Sequence, residues 1–364
     1  MAAPPAPARA AVLCGTGSFL PARRVSNDML SATLDTSDEW IRTRTGIGAR
    51  HFTDPGTTTS DLAAAAGARA LADADPSGVD AVDTVVVATT TPDRPCPGTA
   101  PVVAAKLGLS GAAAFDVSAV CTGFVYGLAT ATGLIAAGAA RRVLLVGAET
   151  YSSILDPADR TTSVIFGDAA GAVVLRAGDP DEPGAVGPFD LGSDGDGVDL
   201  ITVRGGGAEQ RLSGRPAEPG DRYFAMAGKQ VFWQAVRHMA KSSRAVLDSA
   251  GWRVDEVDHL VGHQANIRIL NRLADDIGVP RERSITNIAE VGNTSAASIP
   301  LALDQARAAG RLHTGDRLLL TAFGGGLTWG STVLTWPNLA GPAQSTPTAP
   351  PLSRSQSRSE ESTR

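Results

Sequence analysis

Apolar runs and amphipathic stretches alternate along most of the chain. Residues 11–19, 82–90, 113–117, 142–147 and 169–175 are apolar runs of strand length, five in the first half. They read as buried strands. Between them lie an Ala-rich stretch capped by Ser60-Asp61 and ending near Ala74, and a second helical stretch at 98–107. Ser37-Asp-Glu-Trp-Ile starts a helix with acid in its first turn, and 43–50 reads as a polar, glycine-punctuated loop. Residues 123–138 carry no charge at all, which predicts a helix buried on all sides. The second half repeats the rhythm: helix 226–250, strand 257–261, helices 266–276 and 295–309, strands 317–322 and 331–334. Residues 151–163 form a loop, and 178–187 is the most linker-like interior stretch. Alternation of strand and helix predicts α/β layers.

A chain of 364 residues exceeds what one compact core usually serves, so two domains or two fused halves are expected. The boundaries drawn are a disordered N-terminus at 1–10, halves at 11–178 and 188–338, and a disordered Pro/Ser/Thr-rich tail at 341–364. A net charge of −6 gives no basic field for nucleic acid. Cys14, Cys96 and Cys121 are an odd number without metal-ligand spacing, arguing for a reducing compartment and against a disulfide framework. No signal-peptide core opens the chain, and the apolar run after Gly123 is too rich in Gly and Thr for a membrane span. The expectation is a cytoplasmic enzyme without membrane or nucleic-acid partners.

The candidate chemistry centres on Asp116-Val-Ser-Ala-Val-Cys121-Thr-Gly. Cys121 falls where a strand meets the N-terminus of the uncharged helix. There the helix dipole and free amides favour a thiolate. Taken alone the cysteine reads equally well as core packing. Downstream, His263 stands in His259-Leu-Val-Gly-His263-Gln-Ala-Asn266, and Asn293 in Val291-Gly-Asn-Thr-Ser-Ala-Ala-Ser. A glycine triplet follows in Ala322-Phe-Gly-Gly-Gly326. Cysteine, histidine and asparagine at strand ends or glycine turns make a nucleophile with helpers, and a glycine turn offers amides to an oxyanion. His259 and His263 lack the helical register and acidic neighbour of a metal pair, so no metal is expected. His51, His238 and His313 read as surface or helix-face residues, and Asp168 as a structural turn.

These segments, with Asp35-Thr-Ser-Asp-Glu-Trp-Ile-Arg-Thr-Arg and Phe166-Gly-Asp-Ala-Ala-Gly171, resemble those of β-ketoacyl-acyl-carrier-protein synthase III. These are condensing enzymes of the thiolase superfamily. The resemblance runs from Val12 to Trp336. It implies a thiolase fold, a duplicated five-layer αβαβα architecture. It implies that Cys121 takes an acyl group from a coenzyme A primer. Malonyl-acyl carrier protein is then condensed by decarboxylation, starting fatty-acid or polyketide synthesis. His263 and Asn293 would hold the enolate oxygen, the amides of Cys121 and Gly325 the oxyanion, and Phe323 would wall the site. Thr36, Trp40, Arg44, Arg160 and Asn266 would bind coenzyme A, here a substrate carrier with no further cofactor. Arg268 would meet the carrier protein. Cys96, where many members have Phe, would close the acyl pocket across a homodimer. Trp233 departs from the family, which often has a basic residue there; Lys229 one turn earlier could compensate. The rival readings are acyl transfer to another nucleophile without decarboxylation, and a non-catalytic thiolase-fold subunit that only binds carrier protein.

Overall fold

The computed structural model describes residues 9–75 and 81–339. The expected disordered ends, 1–10 and 341–364, lie outside that range except for Arg9 and Ala10. Ala10 already opens the first strand.

The first half holds β1 (Ala10–Phe19), the ribbon β2 (Arg23–Ser26) and β3 (Ala49–Phe52), and β4 (Thr84–Ala88), β5 (Ala113–Val117), β6 (Arg142–Glu149) and β7 (Ala169–Gly178). Its helices are α1 (Asn27–Ser31), α2 (Asp38–Thr45), α3 (Thr59–Ala74), α4 (Ala100–Lys106) and α5 (Gly123–Ala136). The second half holds β8 (Val186–Ser193), the short pair β9 (Ile201–Thr202) and β10 (Ala225–Met226), then β11 (His259–Gly262), β12 (Arg317–Gly324) and β13 (Thr328–Thr335). Its helices are α6 (Ala208–Leu212), α7 (Gly228–Ala250), α8 (Ile267–Ile277), α9 (Ile288–Val291) and α10 (Ser298–Ala308).

The two large sheets share one topology. The first has the order β1-β7-β6-β4-β5 and the second β8-β13-β12-β11 when read from the same side. In each, an antiparallel pair leads into parallel strands: β6 runs with β4, and β12 with β11. The place of a fifth strand beyond β11 is marked by a single parallel bridge from Leu260 to Ser284. This is the duplication that the resemblance implied.

Helices α5 and α10 lie between the sheets and share one core with both of them. Helices α3 and α4 cover the outer face of the first sheet, and α7 and α8 that of the second. The result is five layers, αβαβα. The central layer is tight because small residues let it be: a β-carbon on Gly147 would fall 2.3 Å from the Ala296 carbonyl oxygen. The first turns of α5 are buried, but Gly133 and the residues after Ile135 reach solvent. That helix is therefore buried on most sides over its first half and on one face, through Ala131 and Ile135, in its second.

Other expectations need correction. Residues 43–50 are not a loop: α2 runs to Thr45, Gly46 ends it at φ 81°, and β3 begins at Ala49. The linker-like 178–187 is tied down by the Arg176–Glu182 ion pair and by Gly184, which bonds to the backbone of Leu13 and Thr335. Its Asp and Pro content serves turn geometry. His51 is buried on β3, its Nδ1 2.6 Å from the Pro21 carbonyl oxygen. His238 lies on the face of α7, as read, and stacks on Trp329. Asp168 accepts the amides of Thr53 and Ser152 and is structural, as read.

Candidate active site

The polar groups of the site gather at the carboxyl ends of parallel strands, where open α/β sheets place ligands. Cys121 follows β5, Glu149 ends β6 and His263 follows β11. Cys121 sits in the middle of a single 3₁₀ turn, Val120–Thr122, with α5 starting at Gly123. Val120 has φ 48°, an outlier for a β-branched residue. The chain therefore makes a sharp elbow just before the thiol.

The thiol is buried, and its pKa is pushed up to about 12 by loss of solvent, with the Glu149 carboxylate adding to the rise. The Ser295 hydroxyl pulls the other way. The thiolate expected from the helix N-terminus alone is thus corrected: in the resting site burial opposes ionisation.

The glycine turn closes over the elbow. A β-carbon on Gly324 would fall 2.8 Å from the Cys121 amide nitrogen, so only glycine fits there. Gly325, the oxyanion donor inferred from the resemblance, is the next residue, and its α-carbon faces Ile201. Thr328 locks the two turns together: its hydroxyl bridges the carbonyls of Ala119 at 3.3 Å and Gly325 at 3.1 Å, and meets Thr122 at 2.9 Å. Phe323, just before these glycines, is buried, opposite Trp329 in the β12–β13 register.

His263 is buried, its Nδ1 2.6 Å from the Ser298 hydroxyl. Burial lowers its pKa to about 3, so the imidazole is neutral at physiological pH. Asn293 is held on three sides. Its amide donates to the Ile165 carbonyl, its carbonyl accepts from Gly167, and its Oδ1 accepts the Ser295 N–H at 2.9 Å. With the oxygen engaged, the side-chain NH2 is the group left for a ligand.

Asn293 lines a cavity of about 590 Å³ whose other walls include Trp40, Arg44, Asn266, Arg268, Lys229 and Trp233. Most of the residues inferred for coenzyme A thus border one space. The Arg44 guanidinium lies 4.7 Å, and that of Arg160 5.6 Å, from the Trp40 ring centre. Arg160 also donates to the Asp35 carbonyl, and the Thr36 hydroxyl is buried without a partner. Asn266 caps α8 through Arg268 N–H and donates to the Arg44 carbonyl, so it is structural as well as wall-forming. Arg268 is exposed, and Trp233 is 58% exposed at the same mouth. Cys96 is also exposed and lies apart from this cavity, on the loop leading to Thr99, whose amide bonds to Asp116 of β5.

Sequence reasoning missed Glu149, Ser295, Ser298 and Thr328. Glu149 left a trace: it is the first charge after an apolar strand, at the sheet end that also carries Cys121. The two serines, in a small-residue run, left none.

Among the described residues, no group of His, Cys, Asp and Glu is arranged to hold a metal ion. No helix among them is long and apolar enough to cross a membrane.

The comparisons with known proteins agree with this geometry. The family profile for 3-oxoacyl-acyl-carrier-protein synthase III matches residues 115–195, and that for its C-terminal region matches 247–336. A β-ketoacyl-acyl-carrier-protein synthase III of Streptomyces coelicolor is 65% identical over 329 residues, 90% of this chain and 98% of that protein. One from Pseudomonas aeruginosa is 56% identical over 332 residues, 91% of this chain and 98% of the relative. The crystal structure of a Pseudomonas aeruginosa 3-oxoacyl-acyl-carrier-protein synthase III superposes with a TM-score of 0.84 at 54% identity, covering 92% of this chain and all of that one (100%). The priming β-ketosynthase of a polyketide pathway gives 0.83 at 35% identity, covering 93% and 99%. The chain, with its thiolase-fold elbow carrying a cysteine, a buried neutral histidine and an oriented asparagine, belongs to the β-ketoacyl-acyl-carrier-protein synthase III family.

Proposed function

We propose that the chain is a starter condensing enzyme that joins an acyl-coenzyme A primer to malonyl-acyl carrier protein. The observation that carries this reading is the orientation of Asn293. Its Oδ1 is taken by the Ser295 amide, so its NH2 can only donate. A fixed donor beside a neutral histidine suits an enolate oxygen, and neither group titrates away near pH 7.

Cys121 attacks the primer carbonyl, and its proton is lost as the carbon–sulfur bond forms. The amides of Cys121 and the glycine turn hold the tetrahedral oxyanion, and coenzyme A leaves as its thiol. The malonyl thioester then loses carbon dioxide. The Nε2–H of His263 and the NH2 of Asn293 receive the charge that develops on the thioester oxygen. The carbanion attacks the acyl-cysteine, forming the β-ketoacyl thioester and freeing the Cys121 sulfur, which is reprotonated.

Trp40 and Arg160 would take the adenine between them. Two stacked contacts at about 3.5 Å each need roughly 7 Å, so the Arg160 guanidinium, now 5.6 Å from the ring centre, has to move out by about that difference. Arg268 is the rim cation for the carrier protein. A homodimer is supported by β5, the free edge of the first sheet, whose Phe115 is 37% exposed beside the Cys96 loop.

Asn293→Ala is the decisive variant. It keeps acyl transfer to Cys121, read by mass spectrometry of the adduct. It loses condensation by roughly 10²-fold, as for a lost oxyanion donor. Equal damage to both half-reactions would assign Asn293 a structural role and favour acyl transfer without decarboxylation.

A further inference from the structure

Glu149 is fully buried at the end of β6. Its carboxylate accepts the Thr90 N–H at 3.1 Å, the Thr91 hydroxyl at 2.8 Å and the Ser295 hydroxyl at 3.0 Å, with Thr89 further off at 3.5 Å. Every one of these partners is neutral, and among the described residues no Lys, Arg or His is paired with it. The titratable groups that face it are the Cys121 thiol and the buried Tyr151 phenol. A carboxylate in such a place is costly, and burial raises its pKa to about 7. Four threonine and serine hydroxyl and amide donors converge on it nevertheless.

Its neighbour Ser295 is equally unusual. It is buried, stands in the left-handed region at φ 46°, and is not glycine. Such a conformation persists only where its surroundings over-determine it. Its backbone N–H fixes the Asn293 amide, and its hydroxyl donates to Glu149. The same hydroxyl lowers the pKa of the Cys121 thiol, so its single proton serves the carboxylate in the resting site and is the donor within reach of the sulfur when the thiolate forms.

We propose that Glu149 is a positioning residue of the condensing centre, anchoring Ser295 so that one serine serves Asn293 through its amide and Cys121 through its hydroxyl. The proposal rests on the condensing reading above. Glutamine in this place is nearly isosteric but turns its NH2 toward Thr90, Thr91 or Ser295. A hydroxyl facing that NH2 has to accept rather than donate, so the proton of Ser295 loses its fixed acceptor.

The test uses the full-length enzyme and two variants, Glu149→Gln and Ser295→Ala. The first readout is the pH midpoint of Cys121 alkylation by iodoacetamide, which needs neither natural substrate. Glu149→Gln removes an anion beside the sulfur, so the midpoint moves to lower pH, by about 0.5 unit or more. Ser295→Ala removes a stabilising hydroxyl and keeps the anion, so the midpoint moves to higher pH. The second readout is the split between half-reactions. Glu149→Gln keeps acylation of Cys121 and loses condensation at least tenfold, whereas Ser295→Ala, which keeps the backbone N–H on Asn293 and removes the hydroxyl that serves Cys121, slows acylation. Unmoved midpoints, or shifts in one common direction, or equal loss in both half-reactions of Glu149→Gln would overturn the proposal. If Glu149→Gln does not fold, Ser295→Ala alone decides by the direction of its shift and by its slowed acylation. Failure of the condensing reading looks different: the wild type then releases no carbon dioxide from malonyl-acyl carrier protein, while the alkylation shifts still report on Glu149 and Ser295.

Discussion

The Nδ1 of His263 lies 2.6 Å from the Ser298 hydroxyl, which also faces the Gln264 amide at 3.4 Å. The Gln264 N–H can only donate, so the serine oxygen accepts there and its own proton is free to go to Nδ1. The imidazole proton is then left on Nε2. Ser298 therefore selects the tautomer that can donate to an enolate. Ser298→Ala leaves both tautomers open and a buried Nδ1 unsatisfied. Condensation should fall about tenfold, the order of one net hydrogen bond, with acylation of Cys121 little changed. Separate assays of the two half-reactions check this, and an equal loss in each would make Ser298 a packing residue.

Two buried titratable groups of the site, His263 and Glu149, give stability a pH signature of opposite signs. His263 is depressed from 6.5 to about 3, so the unfolded chain binds more protons below 6.5. The stability it carries is present above pH 6.5 and lost as pH falls toward 3. Glu149 is raised from 4.5 to about 7, so its stabilising protonated form is complete below 4.5 and lost as pH rises through 7. Denaturant unfolding at pH 5, 6, 7 and 8 tests both. Relative to wild type, Glu149→Gln should gain stability with rising pH, by up to about 3 kcal/mol for a shift of this size. Replacing His263 by Gln should gain it with falling pH. A flat difference for either variant would contradict the burial argument.

The architecture was legible in the sequence because buried strands must be apolar and their helices must alternate with them. The strand at 113–117, the uncharged helix after Cys121 and the repeat of the rhythm in the second half all stand where the pattern put them. The strand β8 was not legible. Its run Val-Gly-Pro-Phe-Asp-Leu-Gly-Ser has glycines and a proline typical of turns, and only pairing with β13 makes it a strand. At the site, Cys121, His263 and Asn293 stand out as functional types at strand ends or turns. Their supports do not, since a serine or threonine in an Ala-rich run looks the same whether it touches a catalytic group or not. The burial of the thiol was not legible either, because a sequence shows the helix end but not the depth at which it sits.

That depth predicts the order in which the cysteines react. Cys96 is exposed, Cys14 is partly buried with its pKa raised by burial, and Cys121 is pushed up to about 12. Thiolates, not thiols, are alkylated. Iodoacetamide at pH 7.5 should therefore label Cys96 first, and labelling of Cys121 should keep rising to pH 10. Peptide mass mapping over time reads this directly. Preferential labelling of Cys121 at neutral pH would show that the helix N-terminus outweighs desolvation.

The cavity mouth carries Arg268, Lys229 and Trp233, and among the described residues neither cation is in an ion pair. Free rim charges speed encounter with an acidic partner more than they hold it. Arg268→Glu should weaken use of malonyl-acyl carrier protein more than use of acyl-coenzyme A, with a milder salt dependence than wild type. Trp233→Lys should sharpen that salt dependence. Steady-state kinetics at several ionic strengths check both. Equal loss with the two substrates would remove Arg268 from docking.

Cys96 bears on the length of the primer. It is exposed on a loop beside the free edge strand β5, and it does not line the cavity of its own chain. A residue there could close an acyl pocket only across the proposed homodimer. In that arrangement cysteine, far smaller than a phenyl ring, would leave the partner's pocket deeper. Each further buried methylene then contributes about 0.8 kcal/mol to primer binding. Branched or medium-length primers should therefore give higher kcat/KM than acetyl-coenzyme A, and Cys96→Phe should shift preference back toward acetyl. A panel of acyl-coenzyme A primers, read by mass spectrometry of the Cys121 adduct, measures the profile. Because the effect crosses the interface, it should vanish in any variant that sedimentation shows to be monomeric. A wild-type optimum at acetyl, or a profile unchanged by Cys96→Phe, would mean that another residue sets chain length.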